Sequence, residues 1–135
     1  MRRKPIKKRS SRGKILDRLD ALQFTLLKLR RGAKCEICGG TKCLGTFHIL
    51  PKRPYVGIRY HEFNLLIAGW YCCHHPFHHD YYVARDRIVP RIKELRGEDY
   101  EDKLHGLDVM ASRMSAFQLS MIEISLKQEI KKEEK

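Results

Sequence analysis

The chain has 135 residues, 42% of them hydrophobic, enough for one small domain with appended helices and too few for several. No run of about eighteen apolar residues occurs, which argues against a membrane-spanning helix, and the basic N-terminus lacks the apolar segment of a signal peptide, so a cytoplasmic location is expected. Lys and Arg number 28 against 16 Asp and Glu, a formal net charge of +12, which favours a polyanionic partner, nucleic acid being the usual one, over an acid-seeking or neutral one.

Residues 1–13 read as a disordered basic tail. Arg2, Arg3, Lys4, Lys7, Lys8, Arg9, Arg12 and Lys14 come without an acid among them, a pattern that attracts phosphate without reading base sequence. The periodicity then predicts a helix from Lys14 to about Arg31, with Gly32 as its stop. Ile15, Leu16, Leu19, Leu22, Leu26 and Leu29 recur at spacings of three and four, so this helix is expected to be scaffold.

Segment 33–89 changes texture. Five cysteines in a reducing compartment read as metal ligands or core thiols, not disulfides. Cys35 and Cys38, followed by Gly39 and Gly40, have the form of a zinc knuckle, since two intervening residues let both sulfurs reach one ion. Leu44 to Leu50 predicts a strand carrying His48, and Pro51 and Pro54 must leave the sheet. Asn64 to Ala68 predicts a second strand, and Lys52, Arg53 and Arg59 lie between the two.

The stretch Trp70–Asp80 holds two cysteines, four histidines and an aspartate. Thiolate and neutral imidazole are the best protein ligands for borderline-soft cations. His74 and His78 share a face if a helix begins here, and Pro76 is tolerated in its first turn. His75 and His79 form an alternative pair. That helix is expected to end near Val89, with Pro90 opening another that runs to Arg96.

Residues 90–135 read as a helical extension, including a short helix from Glu98 to about Met110. Ser115 and Gln118 make a capping box, with Met114 and Leu119 as its staple, opening a helix from Ala116 to about Lys132 that packs against the first. An exposed stripe on this last helix could support a homodimer. His61 and His105 are expected to be exposed.

Taken together, C-E-I-C-G, F-H-I-L-P-K, R-Y-H-E-F-N-L-L and C-C-H-H-P-F-H resemble the HNH, or ββα-metal, nucleases over roughly residues 34–80. The likeness is nearest to recombination-endonuclease-type HNH proteins of bacteriophages. The resemblance implies an α+β fold: a small zinc-stapled, treble-clef-like ββα-metal core flanked by N- and C-terminal helices. It implies a divalent-metal-dependent DNA endonuclease, working in the host cytoplasm if phage-encoded. Residue by residue, His48 matches the general base and Asn64 the central asparagine that pins the inter-strand loop. His74 and His78 match the ligands of a catalytic divalent ion such as Mg²⁺. Arg59, and more loosely Lys52 and Arg53, would hold phosphate. A structural zinc would be held by Cys35, Cys38 and Cys73.

The chain departs from the pattern twice. Trp70 stands where a second C-x-x-C would place a cysteine, so the fourth zinc ligand is Cys72, Cys43 or His75, with Cys72 preferred; Cys43 is otherwise expected to be buried. Phe47 precedes His48, where many members carry a metal-binding Asp, Glu or His. That substitution keeps open a zinc-binding nucleic-acid-binding protein without catalysis, and a protein–protein scaffold is the more distant rival.

Overall fold

The computed structural model describes residues 2–6, 10–109 and 113–135. Lys7, Lys8 and Arg9 of the basic tail, and Met110, lie outside the described residues. The fold is α+β: helices around one two-stranded antiparallel sheet.

Helix α1 spans Ser11–Arg31, three residues earlier than the leucine pattern predicts. The cause is local. The Ser10 hydroxyl accepts from the Gly13 N–H at 3.0 Å, so the last residues of the expected tail form a capped first turn. Gly32 ends the helix, its N–H bonded to the Lys28 carbonyl.

Strands β1 (Leu44–His48) and β2 (Leu65–Gly69) pair so that Leu44 faces Gly69 and His48 faces Leu65. β1 stops two residues short of the expected Leu50, and β2 is shifted by one, starting after Asn64 and running on to Gly69. The Ile49 N–H still bonds the Asn64 carbonyl, but the Leu50 N–H turns to the Asn64 side chain, and the ladder stops there. On the other edge of β2, Glu36 substitutes for a third strand. Its N–H donates to the Ile67 carbonyl, and its carboxylate accepts from the Ile67 N–H at 2.6 Å.

The sheet is covered on both faces, which is why every residue of β2 is buried. Phe47, Leu66 and Ala68 pack with Ile58, Ile88, Ile92 and Leu104 on one face. Leu65 and Ile67 meet Leu27 of α1 on the other. The remaining stripe of α1, Leu19 and Leu26, meets Leu119 and Leu126 of the C-terminal helix. Burying each such leucine contributes about 1.5–3 kcal/mol. Arg30 closes the far end of this helix pair with Glu62, Glu129 and Glu133.

After β2 the chain enters a widened turn, Trp70–His74, in which the His75 N–H reaches back five residues to the Trp70 carbonyl. Helix α2 (His75–His79) follows. Asp80 interrupts it and caps α3 (Tyr81–Val83) by accepting from the Val83 N–H. A second widened turn, Ala84–Ile88, runs directly into α4 (Val89–Arg96). The expected stop at Val89 is therefore absent: Pro90 sits in the first turn of α4, and the wide turn before it keeps the chain helical. Helix α5 is Tyr100–Leu107 and α6 is Ala116–Glu133. The capping box forms at the start of α6, with the Gln118 N–H on Ser115 Oγ and the Ser115 N–H on Gln118 Oε1. Among the described residues no helix is long and apolar enough to cross a membrane.

Candidate metal centre and basic cleft

The knuckle is shaped by backbone bonds. The Gly39 N–H returns to the Cys35 carbonyl and the Cys35 N–H reaches the Gly40 carbonyl at 2.7 Å, with Gly39 at φ 80° to close the turn. This brings Cys35 and Cys38 against Cys72 and Cys73. The four sulfurs lie within 4.8 Å of one another and form a group that could hold a metal ion. Four thiolates at the corners of a tetrahedron with ~2.3 Å bonds would be ~3.8 Å apart. Cys35 and Cys72 Sγ are separated by 3.9 Å, so the donor set is compatible with zinc.

Adjacent side chains on a regular α-turn diverge by about 100°. The widened turn after Gly69 accompanies the arrival of both Cys72 and Cys73 at one cluster. Gly69 leaves the room: a Cβ there would lie 2.5 Å from Cys72 Sγ and 3.1 Å from the Lys42 carbonyl oxygen. Burial opposes ionisation of Cys35, but hydrogen bonds from the backbone at Cys38, Gly69 and Ile37 outweigh it and bring the thiol down to about 7. Burial, reinforced by the neighbouring sulfurs, pushes Cys72 up to about 11 and Cys73 higher still. Arg87 donates to Cys73 Sγ at 3.7 Å and to the Cys72 carbonyl, bringing a positive charge beside these sulfurs. The two other candidates for the fourth ligand stand outside the group. Cys43 is exposed, against the expectation of burial, and lies just before β1 with its backbone at φ 52°. His75 is exposed and stacks on His79, ring centres 4.2 Å apart.

The other histidines of the stretch belong elsewhere. His74 and His78, with ring centres 5.4 Å apart, line a cleft of about 1040 Å³ that His48, Lys52, Arg53 and Arg59 also line. With metal–nitrogen bonds of about 2.1 Å, two imidazoles sharing one ion place their ring centres within roughly 6.4 Å, a limit this pair meets. His75 and His79 do not reach the cleft. Asp80 spends its carboxylate on the α3 cap.

His48 is fixed at one nitrogen. Nε2 lies 3.1 Å from the Arg59 carbonyl oxygen, an acceptor, so Nε2 carries the proton and Nδ1 keeps its lone pair. Burial first, then the Lys52 charge, brings its pKa down to about 4, against the opposing pull of Asp20 and the Arg59 carbonyl. An unperturbed imidazole would titrate near 6.5, so His48 stays neutral where a free histidine is partly charged. Burial and the charges of His78 and Lys52 also lower His74.

Asn64, fully buried, holds the loop that supplies that carbonyl. Its Oδ1 accepts from the Leu50 N–H at 2.7 Å, and its Nδ2 donates to the Leu50 carbonyl at 3.0 Å and the Ile58 carbonyl at 3.5 Å. Phe47 is fully buried and edge-on to His74 and Phe77, so the position before His48 supplies packing and no ligand.

Asp20 is the residue that sequence reasoning missed here. Projecting from α1, it pairs with Arg59 at 3.0 Å and Lys52 at 3.6 Å, so two of the three expected phosphate cations already share one carboxylate. Nothing local marked it: it reads as one more polar position on an amphipathic helix. Arg53 has no carboxylate partner among the described residues, and no carboxylate lines the cleft among them. Arg2 and Arg3 are exposed. His61 and His105 are exposed too, the first accepting from the Phe63 N–H and the second lying against Tyr55. No family model, curated protein or solved structure matches the chain.

Proposed function

We propose that the protein is a divalent-metal-dependent DNA endonuclease of the HNH type, with a separate structural zinc. The observation that carries the reading is His48: a single imidazole held at Nε2 by a backbone carbonyl, lining a basic cleft together with two further histidines.

In this reading His48 Nδ1 takes the proton from an attacking water. The Arg59 carbonyl fixes its tautomer, and Asn64, by tying Leu50 and Ile58 together, holds the loop that presents the carbonyl. A low pKa keeps the base neutral through the physiological range. Lys52, Arg53 and Arg59 supply the positive charge that draws phosphate, Arg59 exchanging part of its Asp20 pair to do so. His74 and His78 would hold the catalytic ion, which when bound would stabilise charge on the leaving oxygen. Two imidazoles and no lining carboxylate among the described residues suit a borderline ion such as Zn²⁺ or Ni²⁺ better than Mg²⁺. Cys35, Cys38, Cys72 and Cys73 would hold the structural zinc, joining the knuckle to the end of β2. No element reads as a groove-reading module, so sequence preference should be slight.

The test is plasmid nicking by zinc-loaded protein with added Mn²⁺ or Mg²⁺. The parent should nick, and His48→Ala should be slower by about 10²–10⁴-fold with an unchanged circular dichroism spectrum. The second reading, nucleic-acid binding without hydrolysis, is favoured by Phe47, which denies the ion a third protein ligand. It predicts that both proteins bind DNA equally and neither cuts above a metal-free control.

A further inference from the structure

The cleft does not end at the histidines. Ser10, Arg12 and Gly13, at the start of α1, and Arg113 and Met114, just before α6, belong to the same lining. These are the ends of the two helices whose leucine stripes read as scaffold.

The other arginines of α1 are committed to carboxylates. Arg18 pairs with Glu123, Arg30 with three glutamates, and Arg31 with Glu36. Arg12 instead donates to a neutral acceptor, the Met114 carbonyl, at 2.8 Å. That bond joins the two helix starts and leaves the guanidinium charge uncancelled by any carboxylate among the described residues. Arg113 is exposed and likewise has no carboxylate partner among them. The first turn of α1 contains no acid, so the helix dipole adds to the positive potential there. Thr46 Oγ1, a buried hydroxyl without a partner among the described residues, lies in the same lining and can donate to an anionic oxygen.

Distance sets the kind of ligand. Arg12 stands eight residues before Asp20, the residue that holds Lys52 and Arg59, so the two groups are separated by roughly 12 Å along α1 at 1.5 Å per residue. One phosphate cannot serve both. A strand of duplex DNA advances about 3.4 Å along its axis per phosphate while winding around it, so roughly two to four nucleotides cover that separation.

We infer that the start of α1 and the segment entering α6 form a second phosphate-binding stretch of this cleft, with Arg12 and Arg113 as its cations, for a DNA strand continuing past the phosphodiester at His48. The inference rests on the nuclease reading for the identity of the strand, but its test does not need cleavage.

Zinc-loaded protein is titrated into a fluorescein-labelled 20-base-pair duplex without added divalent ion, and log affinity is plotted against log salt for each variant. Arg113→Gln should lower the magnitude of the slope by about 0.9, one released counterion. Adding Arg12→Lys, which keeps the charge but not the planar fork, should weaken binding further with the same slope. Lys34→Gln, exposed and outside the cleft, is the control and should match the parent. An Arg113→Gln slope equal to that of the control overturns the inference and leaves nicking untouched. A parent with no salt-dependent duplex binding overturns both the inference and the nuclease reading. Lost nicking activity with the expected slopes overturns only the latter.

Discussion

The sulfur cluster and the basic cleft both draw on the stretch Trp70–Asp80, and they differ in closure. Around the cluster everything is complete: four sulfurs converge, Gly69 leaves them space, and Arg87 brings charge to them. Around the cleft fewer donors meet: two imidazoles line it, Phe47 packs against His74 at the position before His48, and among the described lining residues there are cations and no acid. Closed, saturated metal sites hold folds together, and sites with open positions bind and transform ligands. On the proposed reading, Cys72 and Cys73 serve stability and His74 and His78 serve function, although they are neighbours in the chain.

The largest effect that tests this division comes from the closed side. Structural zinc contributes apparent binding energies of about 10–16 kcal/mol, comparable with the whole stability of a domain this size. Cys35→Ser should therefore lose the metal and its cooperative thermal transition, whereas Cys43→Ser should keep both, as metal analysis and circular dichroism would show. A Cys43→Ser protein that also lost metal would break the comparison.

A smaller effect belongs to the bridge between the two regions. Asn64→Ala removes both side-chain bonds to Leu50 in a buried setting and should cost about 2–3 kcal/mol in denaturant unfolding. It should also reduce nicking by more than the stability loss explains, because the Arg59 carbonyl would no longer be held against His48.

The smallest is a pH effect at His48. The folded protein keeps this imidazole neutral down to about pH 4, while the unfolded chain takes up the proton near 6.5. Between those values the unfolded state binds more protons, so stability falls as pH falls. The contribution lost between pH 7 and pH 5 is about 2 kcal/mol. His48→Gln, whose amide nitrogen can stand in for Nε2 and keep a donor for the Arg59 carbonyl, should show a shallower decline. Any acid loss of metal affects both proteins alike, so the difference between the two curves isolates His48; coincident curves would contradict its burial.

How far the sequence carried depends on how local each signal was. The C-x-x-C turn, the Ser115 capping box and the leucine stripe of α1 are set by spacings of two to four residues, and they form. The choice among Cys72, Cys43 and His75 turned on the width of one helical turn, which residue identities do not report. What Asp20 and Arg12 contact was illegible for a different reason. Their partners, Arg59, Lys52 and Met114, lie 32 to 102 residues away, and only the packing of α1 across the sheet and along α6 brings them together.

The most direct test of the division is zinc K-edge absorption spectroscopy on protein loaded with one equivalent of zinc. The account predicts four sulfur neighbours at ~2.3 Å and no nitrogen shell. A mixed shell with a nitrogen at ~2.0 Å, abolished by His74→Ala or His75→Ala, would contradict it, because a histidine of the stretch would then belong to the closed site.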